Sequence, residues 1–588
     1  MKKIIACLIP LLGVACVPHE DLSPVVVQSF DNVWKFSAGK GTDSLWRATA
    51  YNDDAWYAVT TDKLLTEQGV SLIDGHGWYR KHVTLSDSLR KALPGKGGVM
   101  MHLGRLGAVD EVFVNGQLVG KTGEFPGNYS GNTDGERSYF VPASALRAEG
   151  DNLIAVKFFD GWWIGGFYAG ARLRMVTAET GDKLKLRVVV PDSDYVFVGT
   201  KEIAFDIHLK NDNAWNVGGQ LVVSVSTDDY RHISTDTFTM YAAPSFEFVL
   251  PYKHREVQPG FYRYTVQVLR NGQMLMDKKL TLGFDPEKII APADAKPDLR
   301  SFWDLGLAEL AKVKPDYTLT EQPQYSNDSY TVYLVTMRSL GDELIRGYYA
   351  QPKKEGKHPV IVEYMGYGSK PYPPSVYYDG YARYVHSVRG QGLNEPTNRF
   401  GKWITHGLDS KETYYYRGAF LDVVRAIDFV CSRPEIDNTR IGVRGGSQGG
   451  AFSFVAAALD KRVAACVPRN PFLCDYRGYF SIAPWPRSEF EEYLRRFHPD
   501  SHDYRWTKIY DVLSYFDVKN LSPWITCPVY MGIGVQDEIC PPRTNFAGYN
   551  ALRSAKQWHA DAEFAHSTSN WFWDAMMGWF GERLTPGK

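Results

Sequence analysis

Cysteine is scarce over most of this 588-residue chain. Two of the seven cysteines, Cys7 and Cys16, lie near the N-terminus, and the other five begin at Cys431. Five is an odd number and no two cysteines are spaced as C-x-x-C, which argues against a disulfide framework and against a zinc ribbon. The five later cysteines are therefore expected to be buried free thiols, with a Cys466–Cys474 disulfide in an oxidising periplasm as the alternative.

The sequence also lacks the common signatures of nucleic-acid, metal and nucleotide binding. No dense run of lysine and arginine occurs, and the formal net charge is −1. Since proteins that bind nucleic acid usually carry a basic patch or stripe, we expect no nucleic-acid partner. The motif H-E-x-x-H, the P-loop and the dinucleotide-binding fingerprint are absent, so neither a metal nor a cofactor is predicted.

The first residues have the pattern of a targeting segment. A charged start, Met1-Lys2-Lys3, precedes an apolar run from Ile4 to Ala15 that is too short to span a bilayer. The run ends at Cys16 and resembles a bacterial lipoprotein signal, although Leu12 stands four places before the cysteine instead of three. We expect residues 1–16 to be a lipoprotein signal peptide, with a lipid on Cys16. Simple secretion after cleavage nearby is the alternative.

The leader implies export across the inner membrane of a bacterium. A lipid on Cys16 would anchor the chain in the outer membrane, on its periplasmic or its cell-surface face. No later stretch reaches about 18 consecutive apolar residues, so the sequence predicts no other membrane anchor.

Residues 25–178 have an all-β pattern of short alternating runs, with a hairpin signal at Asn115-Gly116. The segments Trp78 to Lys81, Leu106 to Gly120 and Gly150 to Val156 resemble the galactose-binding-like jelly-roll domain that opens family 2 glycosidases. The resemblance implies a sandwich that binds sugar or serves as a structural flank. Trp162, Trp163 and Tyr168 are candidates for stacking on a sugar ring, with core packing as the alternative.

Residues 180–285 form a second β region. Strand-like runs such as Ile203 to Leu209 and Leu221 to Ser226 recur about every 8–12 residues, which is typical of an immunoglobulin-like sandwich. No site chemistry is visible in this region, so we expect it to be a spacer. A Pro-rich linker, Pro286 to Pro297, follows it.

The pattern changes to alternating strands and helices over residues 295–588. The apolar strands Val360 to Tyr364 and Arg440 to Arg444 enclose a helical stretch from Tyr416 to Cys431. This alternation predicts a parallel sheet with helices on both faces. The predicted fold class is therefore multidomain, with two N-terminal all-β sandwiches followed by a C-terminal α/β domain.

A candidate nucleophile lies directly after one of these strands. Gly445-Gly446-Ser447-Gln448-Gly449 fits the nucleophile elbow G-x-S-x-G, and a helix of small residues follows it. Glycines beside the serine remove the Cβ clashes that so sharp a turn would create. Ser447 is therefore the predicted nucleophile.

The elbow in this context indicates an α/β-hydrolase domain over residues 295–588. A serine hydroxyl needs a base, and in this fold the order along the chain is Ser, then Asp or Glu, then His. Asp537 follows the apolar strand Pro528 to Gly534, and His566 follows the last predicted strand, at the predicted start of the final helix. Glu538 is the rival acid, but its side chain should point the other way. His559 is the rival base, but it lies near the start of that strand.

The oxyanion hole is expected to use two backbone N–H groups. One is that of Gln448, directly after the nucleophile. The other comes from the loop after an early strand, where Tyr367 is the best candidate.

These residues, taken together, resemble carbohydrate esterase family 7, the acetyl xylan esterases and cephalosporin C deacetylases. The motifs that carry the resemblance are Gly366-Tyr367, Arg389-Gly390-Gln391, Lys411 to Gly418, Gly445 to Gly450, and Asp537 followed by Pro541-Pro542.

The resemblance implies that Ser447, Asp537 and His566 are the catalytic triad and that Tyr367 and Gln448 form the oxyanion hole. It further implies that Arg389 and Gln391 hold the active-site loops. Ser567 stands where the family usually has glutamate. The family is often hexameric, which leaves a homo-oligomer open for this chain.

The function that follows is that of a serine esterase which removes acetyl groups from acetylated carbohydrate through an acyl-enzyme. Two other functions stay open: a serine peptidase of the same fold, and a glycan-binding protein with a vestigial active site. No repeat of 40–50 residues is visible, which argues against the β-propeller of prolyl oligopeptidases. The sequence does not select among xylan, mannan, pectin and host glycans.

Overall fold

A computed structural model describes residues 26–585 with gaps at 42, 71, 73–74, 96, 108, 124, 126–135, 161–165, 168–170, 179–183, 213–216, 244, 256, 271–272, 371, 375–379 and 498–501. The leader with Cys16 lies outside the described residues, as do Trp162, Trp163 and Tyr168. None of the helices that are described is both long enough and apolar enough to cross a bilayer.

The first β region consists of two antiparallel sheets, with strand orders β1-β10-β5-β8 and β3-β2-β4-β9-β6-β7. The strands are β1 (Val27–Ser29), β2 (Val33–Ala38), β3 (Tyr57–Thr60), β4 (His76–Thr84), β5 (Gly98–Arg105), β6 (Val109–Val114), β7 (Gln117–Thr122), β8 (Glu136–Pro142), β9 (Asp151–Phe159) and β10 (Arg174–Ala178). Two short helices, α1 (Asp43–Trp46) and α2 (Asp87–Ala92), lie between strands. The predicted hairpin joins β6 to β7, and its Asn115 and Gly116 have φ of 49° and 84°. Asparagine and glycine tolerate these positive values best.

The second β region contains a three-stranded sheet, β11-β13-β16, and a five-stranded sheet, β12-β18-β17-β14-β15. The strands are β11 (Leu184–Val189), β12 (Val196–Phe197), β13 (Glu202–Asn211), β14 (Val217–Thr227), β15 (His232–Ala242), β16 (Glu247–Arg255), β17 (Gly260–Arg270) and β18 (Gln273–Phe284). Burial alternates along β13, as expected for a sheet with one face on a core. Ile207, Val223 and Tyr264 are fully buried in that core.

A nine-stranded sheet forms the C-terminal region, in the order β19-β20-β21-β23-β22-β24-β25-β26-β27. The strands are β19 (Thr318–Glu321), β20 (Tyr330–Ser339), β21 (Glu343–Pro352), β22 (His358–Tyr364), β23 (Ala382–Ser387), β24 (Ile436–Gly446), β25 (Val463–Arg469), β26 (Val529–Gly534) and β27 (Lys556–Asp561). From β23 to β27 the neighbouring strands are parallel. All seven residues of β22 are buried, which is typical of a parallel strand covered on both faces.

Nine helices are described in this region. They are α3 (Leu299–Ala311), α4 (Tyr415–Cys431), α5 (Gln448–Leu459), α6 (Tyr476–Ile482), α7 (Pro484–Phe497), α8 (His502–Leu513), α9 (Val518–Leu521), α10 (Pro542–Asn550) and α11 (Asn570–Leu584). Residues of α3, α4 and α5 share one hydrophobic core with the sheet, while α11 packs in a separate cluster around Ile361, Ala465 and Val467. The predicted α/β-hydrolase arrangement, a largely parallel sheet between helices, is confirmed for the C-terminal region.

The five cysteines of this region are free thiols, as expected, and all but Cys431 are buried. Cys466 and Cys540 have no exposed surface. Their environment is the packed interior, where a thiol behaves as a small apolar group.

The Pro-rich segment after the second sandwich is fastened to the hydrolase domain. Asn550 Nδ2 donates to the carbonyl oxygens of Pro286 and Ile289, each at 2.9 Å. Lys519 Nζ lies 3.3 Å from the carboxylate of Asp294. The second β region also contacts the hydrolase domain directly, where Thr281 bonds to Gln536 and Arg263 pairs with Glu538.

A buried ion cluster holds three neighbouring strands together. Glu363 Oε2 on β22 accepts from Arg383 Nη2 on β23 at 2.7 Å and from Arg444 Nη2 on β24 at 2.6 Å. Burial by itself would raise the pKa of Glu363, but the two guanidinium groups and the Tyr372 hydroxyl outweigh it and hold that pKa at about 2. The loop that contains Ser447 begins three residues after Arg444, so the cluster fixes the sheet edge beside that loop.

We predict that Glu363→Gln lowers the thermal unfolding midpoint of the hydrolase domain. Loss of one partner from a buried ion pair typically costs about 3–5 kcal/mol, because the remaining charges stay buried. The depressed pKa stabilises the fold above the ordinary value of 4.5, and this contribution is lost as pH falls toward about 2. The difference between wild type and variant, measured by calorimetry, should therefore be full at neutral pH and shrink below pH 4.5.

Glu582→Gln is the control, since the Glu582 side chain is 77% exposed and pairs only with its neighbour Arg583 among the ion pairs described. A surface pair of this kind contributes about 0–1 kcal/mol. Equal midpoints for Glu363→Gln and wild type at neutral pH would contradict the assigned role of the cluster.

Candidate active site

Ser447 joins β24 to α5 in a backbone conformation that is unusual for a residue with a side chain. Its φ is 58° and its ψ is −123°. The Ser447 N–H donates to the carbonyl oxygen of Arg469 at 2.9 Å, and the Ser447 carbonyl accepts from the N–H of Phe472 at 3.0 Å. Such a conformation costs free energy and persists only when its surroundings impose it. Here the end of β25 and the segment directly after it impose it from both sides.

Glycines around Ser447 are required by close packing. A Cβ added to Gly449 would lie 2.0 Å from the carbonyl oxygen of Tyr364, and one added to Gly445 would lie 2.4 Å from the carbonyl oxygen of Gly449. Both distances are far shorter than a van der Waals contact. The role that the sequence predicted for the glycines of this turn is therefore present in the structure.

Asp537 and His566 are brought together by two separate loops. His566 Nδ1 lies 2.8 Å from Asp537 Oδ2. Asp537 Oδ1 accepts from the backbone N–H groups of Ile539 at 2.8 Å and Cys540 at 2.9 Å. The Asp537 side chain is fully buried and that of His566 is 9% exposed. The carboxylate is held on one oxygen by its own loop and faces the imidazole with the other.

The two rival residues have other partners. Glu538 pairs with Arg263 and Arg105, so its side chain points away from Asp537, as predicted. His559 Nε2 lies 3.0 Å from Asp561 Oδ1, and its ring packs against Trp571.

The prediction was wrong in one detail of the His566 segment. The last strand ends at Asp561 and α11 begins at Asn570, so His566 lies in the loop between them and not at the start of the helix. The reason is Ser569, whose side chain accepts from the Phe572 N–H and caps the helix. His559 is also the fourth residue of its strand and not one near the start.

Cys540 connects Ser447 to the loop of Asp537. Its Sγ lies 3.9 Å from Ser447 Oγ, and its N–H is one of the two that bind Asp537 Oδ1. Burial raises the pKa of the Cys540 thiol well above its ordinary value. The thiol is therefore neutral, and it lies directly beside the serine hydroxyl.

The loop after β22 lies against the Ser447 turn. A Cβ built on Gly366 would be 3.9 Å from Ser447 Cβ. The next residue, Tyr367, is partly buried and its ring contacts those of Trp403 and Trp485 at centroid distances of 5.2 and 5.4 Å. The predicted Tyr367 loop and the Gln448 end of α5 thus lie on adjoining sides of Ser447.

Gln391 links these two sides. Its Oε1 accepts from the Gly368 N–H at 3.1 Å and from Gln448 Nε2 at 3.0 Å. Its Nε2 donates to the Tyr415 hydroxyl at 3.0 Å and to Gln448 Oε1 at 3.2 Å. One amide therefore fixes both loops that carry the candidate oxyanion donors.

Arg389 fastens the Gln391 loop to α4. Its Nε and Nη2 donate to the two oxygens of Asp422 at 2.9 and 2.7 Å, and its backbone N–H donates to the same carboxylate at 2.9 Å. The Tyr415 hydroxyl donates to the Arg389 carbonyl oxygen at 2.6 Å. A bidentate pair of this kind is geometrically specific.

Sequence reasoning missed Asn470. Its Nδ2 donates to Asp537 Oδ2 at 2.6 Å and to the carbonyl oxygen of Ala565 at 3.2 Å. It therefore binds the acid and the residue before His566 at once. Its position in the sequence could have indicated this role. Asn470 directly follows β25, which pairs with the strand that precedes Ser447, and it is a buried amide at the edge where such sheets bind ligands.

A cavity of about 530 Å³ lies beside this site, lined by Phe400, Lys402, Thr405, His406, Gly407, Asp409, Tyr493, Arg496 and Phe497. Ser447, Asp537 and His566 are not among the lining residues. The cavity therefore does not contain the candidate reacting groups. Over the part of the chain that the structure describes, no group of three or more His, Cys, Asp or Glu side chains is suited to hold a metal ion.

Comparisons with known proteins identify the family of the C-terminal half. Residues 284–583 match the protein family described as acetyl xylan esterase (AXE1), which is slightly more than half of the 588 residues. The chain is 32% identical over 316 residues to the acetyl esterase Axe7A of Xylanibacter ruminicola, covering 51% of this chain and 69% of that protein.

Two solved structures are similar to the same half. The acetyl xylan esterase from Paenibacillus sp. R4 is 32% identical, with a TM-score of 0.48 and coverage of 51% of this chain and 98% of that one. Acetyl xylan esterase 1 from Thermoanaerobacterium sp. JW/SL YS485 is 30% identical, with a TM-score of 0.47 and the same coverage. The family match and the curated relative show that the chain belongs to the acetyl xylan esterase family and is a serine carbohydrate esterase, a carboxylic ester hydrolase.

Proposed function

We propose that this chain removes O-acetyl groups from polysaccharides or oligosaccharides, with Ser447 as nucleophile, His566 as base and Asp537 as the partner of His566. The observation that carries the proposal is the 2.8 Å contact between His566 Nδ1 and Asp537 Oδ2, on the carboxyl edge of the sheet where the Ser447 turn also lies. An imidazole held in this way presents its Nε2 to a serine hydroxyl.

In the first half of the reaction, Ser447 Oγ attacks the acetyl carbonyl carbon while His566 Nε2 takes the hydroxyl proton. Asp537 holds the imidazole tautomer and stabilises the imidazolium that forms. The carbonyl oxygen becomes negative and accepts hydrogen bonds from the N–H groups of Gln448 and Tyr367. Collapse of this intermediate breaks the ester C–O bond, and His566 returns the proton to the departing sugar oxygen.

In the second half, water attacks the acetyl group on Ser447 and gives its proton to His566. The tetrahedral intermediate collapses, acetate leaves, and the proton returns to Ser447 Oγ. The neutral thiol of Cys540, 3.9 Å from Ser447 Oγ, offers a small apolar surface that suits a methyl group.

The names of the relatives favour an esterase that acts on acetylated carbohydrate over the two alternative functions. Axe7A is named an acetyl esterase and the two solved relatives are named acetyl xylan esterases. A serine peptidase accounts less well for these names, and a glycan-binding protein with a vestigial site accounts less well for the intact Ser, Asp and His. Acetylated xylan is therefore the first glycan to test, beside acetylated mannan and pectin.

The N-terminal regions are proposed to be a jelly roll of the galactose-binding type, residues 25–178, and an immunoglobulin-like sandwich, residues 180–285. The two-sheet arrangement of each region supports this proposal. The hydrolase domain, residues 295–588, would then act on glycan while a lipid on Cys16 holds the chain at the bacterial outer membrane. A homo-oligomer is also proposed from the family resemblance, and light scattering would measure it.

We predict that Ser447→Ala, His566→Ala and Asp537→Ala each reduce acetate release by about 10³-fold or more, with losses that do not add in double variants. The three groups act on one proton, so loss of any of them disables the same step. The measurement is acetate release from 4-nitrophenyl acetate and from acetylated xylan, mannan and pectin.

His559→Ala is the control, because His559 pairs with Asp561 and not with Asp537. It should keep most of the activity. If Ser447→Ala and His566→Ala both keep near-normal acetate release, the serine mechanism fails. If His559→Ala abolishes it while His566→Ala spares it, the base must be reassigned.

We predict that Gln391→Ala lowers kcat by about 10- to 100-fold and changes KM less. The substitution frees the Gly368 N–H and the Gln448 amide that Gln391 holds, so the oxyanion donors lose their alignment. The measurement is steady-state hydrolysis of 4-nitrophenyl acetate. Gln267→Ala, a partly buried glutamine of β17, is the matched control. An unchanged kcat for Gln391→Ala would show that Gln391 does not align the oxyanion donors.

We predict that Cys16→Ala moves the protein from the membrane fraction to the soluble fraction. The prediction rests on the leader sequence, in which charged residues are followed by an apolar run, small residues and then a cysteine. Cell fractionation measures the distribution, and mass spectrometry of the wild type should show an acylated N-terminal cysteine. A wild-type protein without an acyl chain, or a variant that still sediments with membranes, would refute the lipid anchor.

A further inference from the structure

The residues on either side of Asp537 bind the N-terminal sandwiches. The Gln536 amide accepts the Thr281 N–H at 2.7 Å and donates to the Thr281 carbonyl oxygen at 3.1 Å. Thr281 belongs to β18 of the second sandwich. The same amide donates to the Ala562 carbonyl oxygen at 2.7 Å. Gln536 thus joins the sandwich, the Asp537 loop and the segment that leads to His566.

Two more contacts attach that segment. The Gln536 backbone N–H donates to the Phe564 carbonyl oxygen at 2.9 Å, two residues before His566. The Tyr195 hydroxyl of the second sandwich donates to Glu563 Oε1 at 3.4 Å. Both loops that form the Asp537–His566 pair therefore touch the sandwich directly or through Gln536.

Glu538, on the other side of Asp537, joins all three domains. Its Oε1 accepts from Arg263 Nη1 on β17 at 2.7 Å, and its Oε2 lies 2.9 Å from Arg105 Nη2 at the end of β5. The Glu538 side chain is 27% exposed and that of Arg263 is 17% exposed. Such a partly buried pair is less screened by water than a surface pair.

Aromatic side chains also pack between the second sandwich and the segment that follows Asp537. The rings of Phe261 on β17 and Phe546 on α10 have centroids 5.9 Å apart. Helix α10 begins at Pro542, five residues after Asp537. The loop of Asp537 is therefore enclosed between the sheet of the hydrolase domain and the sandwich.

We propose that the two N-terminal sandwiches are positioning elements for the catalytic acid, acting through Gln536 and Glu538. This inference rests on the proposed roles of Asp537 and His566. Asp537 Oδ1 is held by N–H groups of residues 539 and 540, directly after Glu538. A shift of Glu538 therefore moves the groups that orient the carboxylate, and with them the imidazole. Gln536 and Glu538 do not touch the substrate; they act through Asp537.

The test compares Glu538→Gln with Glu202→Gln in the full-length protein. Glu202 is the matched control, because its side chain is also 27% exposed and also pairs with two cations, Lys253 and Arg255, but entirely inside the second sandwich. We expect Glu538→Gln to lower kcat for 4-nitrophenyl acetate about tenfold and to change KM less than twofold, because misplacement of a catalytic group mainly affects the chemical step. Glu202→Gln should change neither.

Two further variants separate positioning from stability. Arg263→Met should lower kcat, and Arg263→Lys, which keeps the charge, should restore part of it. Arg263→Met combined with Glu538→Gln should lower kcat by less than the product of the two single effects, because the two variants share the Arg263–Glu538 contact. All values of kcat are counted per active site titrated with a serine-directed fluorophosphonate, so unfolded protein does not contribute.

A kcat for Glu538→Gln that equals that of wild type per titrated site would overturn the inference. A loss equal to that of Glu202→Gln would overturn it as well. The Ser447→Ala variant keeps this failure distinct from failure of the proposed function. If Ser447→Ala is inactive while Glu538→Gln is fully active, the triad stands and only the positioning role is wrong.

Discussion

The backbone of Ser447, at φ 58° and ψ −123°, is the constraint on which the site depends. No residue with a Cβ adopts this conformation without a cost in free energy, so the surroundings must impose it. They do so through glycines that allow the Tyr364 strand and the helix after Ser447 to approach to within contact distance. The hydrogen bonds from Ser447 to Arg469 and Phe472 then lock the turn to the next strand.

Buried polar side chains around the Ser447 turn hold the neighbouring strands and loops in place. The carboxylate of Glu363 ties β22 to β23 and β24, so the strand edge beside the turn cannot spread. Gln391 ties the loop after β22 to the start of α5, and Asn470 ties the acid to the residue before His566. Each of these groups satisfies buried donors and acceptors that would otherwise be costly.

The placement of the candidate site residues could be predicted from the sequence, because it depends on short motifs and on strand order. The G-x-S-x-G turn after an apolar strand marked Ser447, and the order of acid and base along the chain marked Asp537 and His566. The start of α11 was misplaced, because a serine cap at Ser569 decides it and the apolar pattern does not show it. The partners of Gln536 and Glu538 could not be predicted, since they lie more than 250 residues earlier in the chain.

The shared carboxylate of Glu538 has a consequence for how this chain can change. Its two arginine partners come from different sandwiches, so a sandwich replaced by a homologue must present a cation at the same point in space. An insertion in β5 or β17 must likewise leave Arg105 or Arg263 within reach of Glu538. Accessory regions that meet the catalytic domain in this way are not interchangeable modules, and the three domains are expected to diverge as one unit.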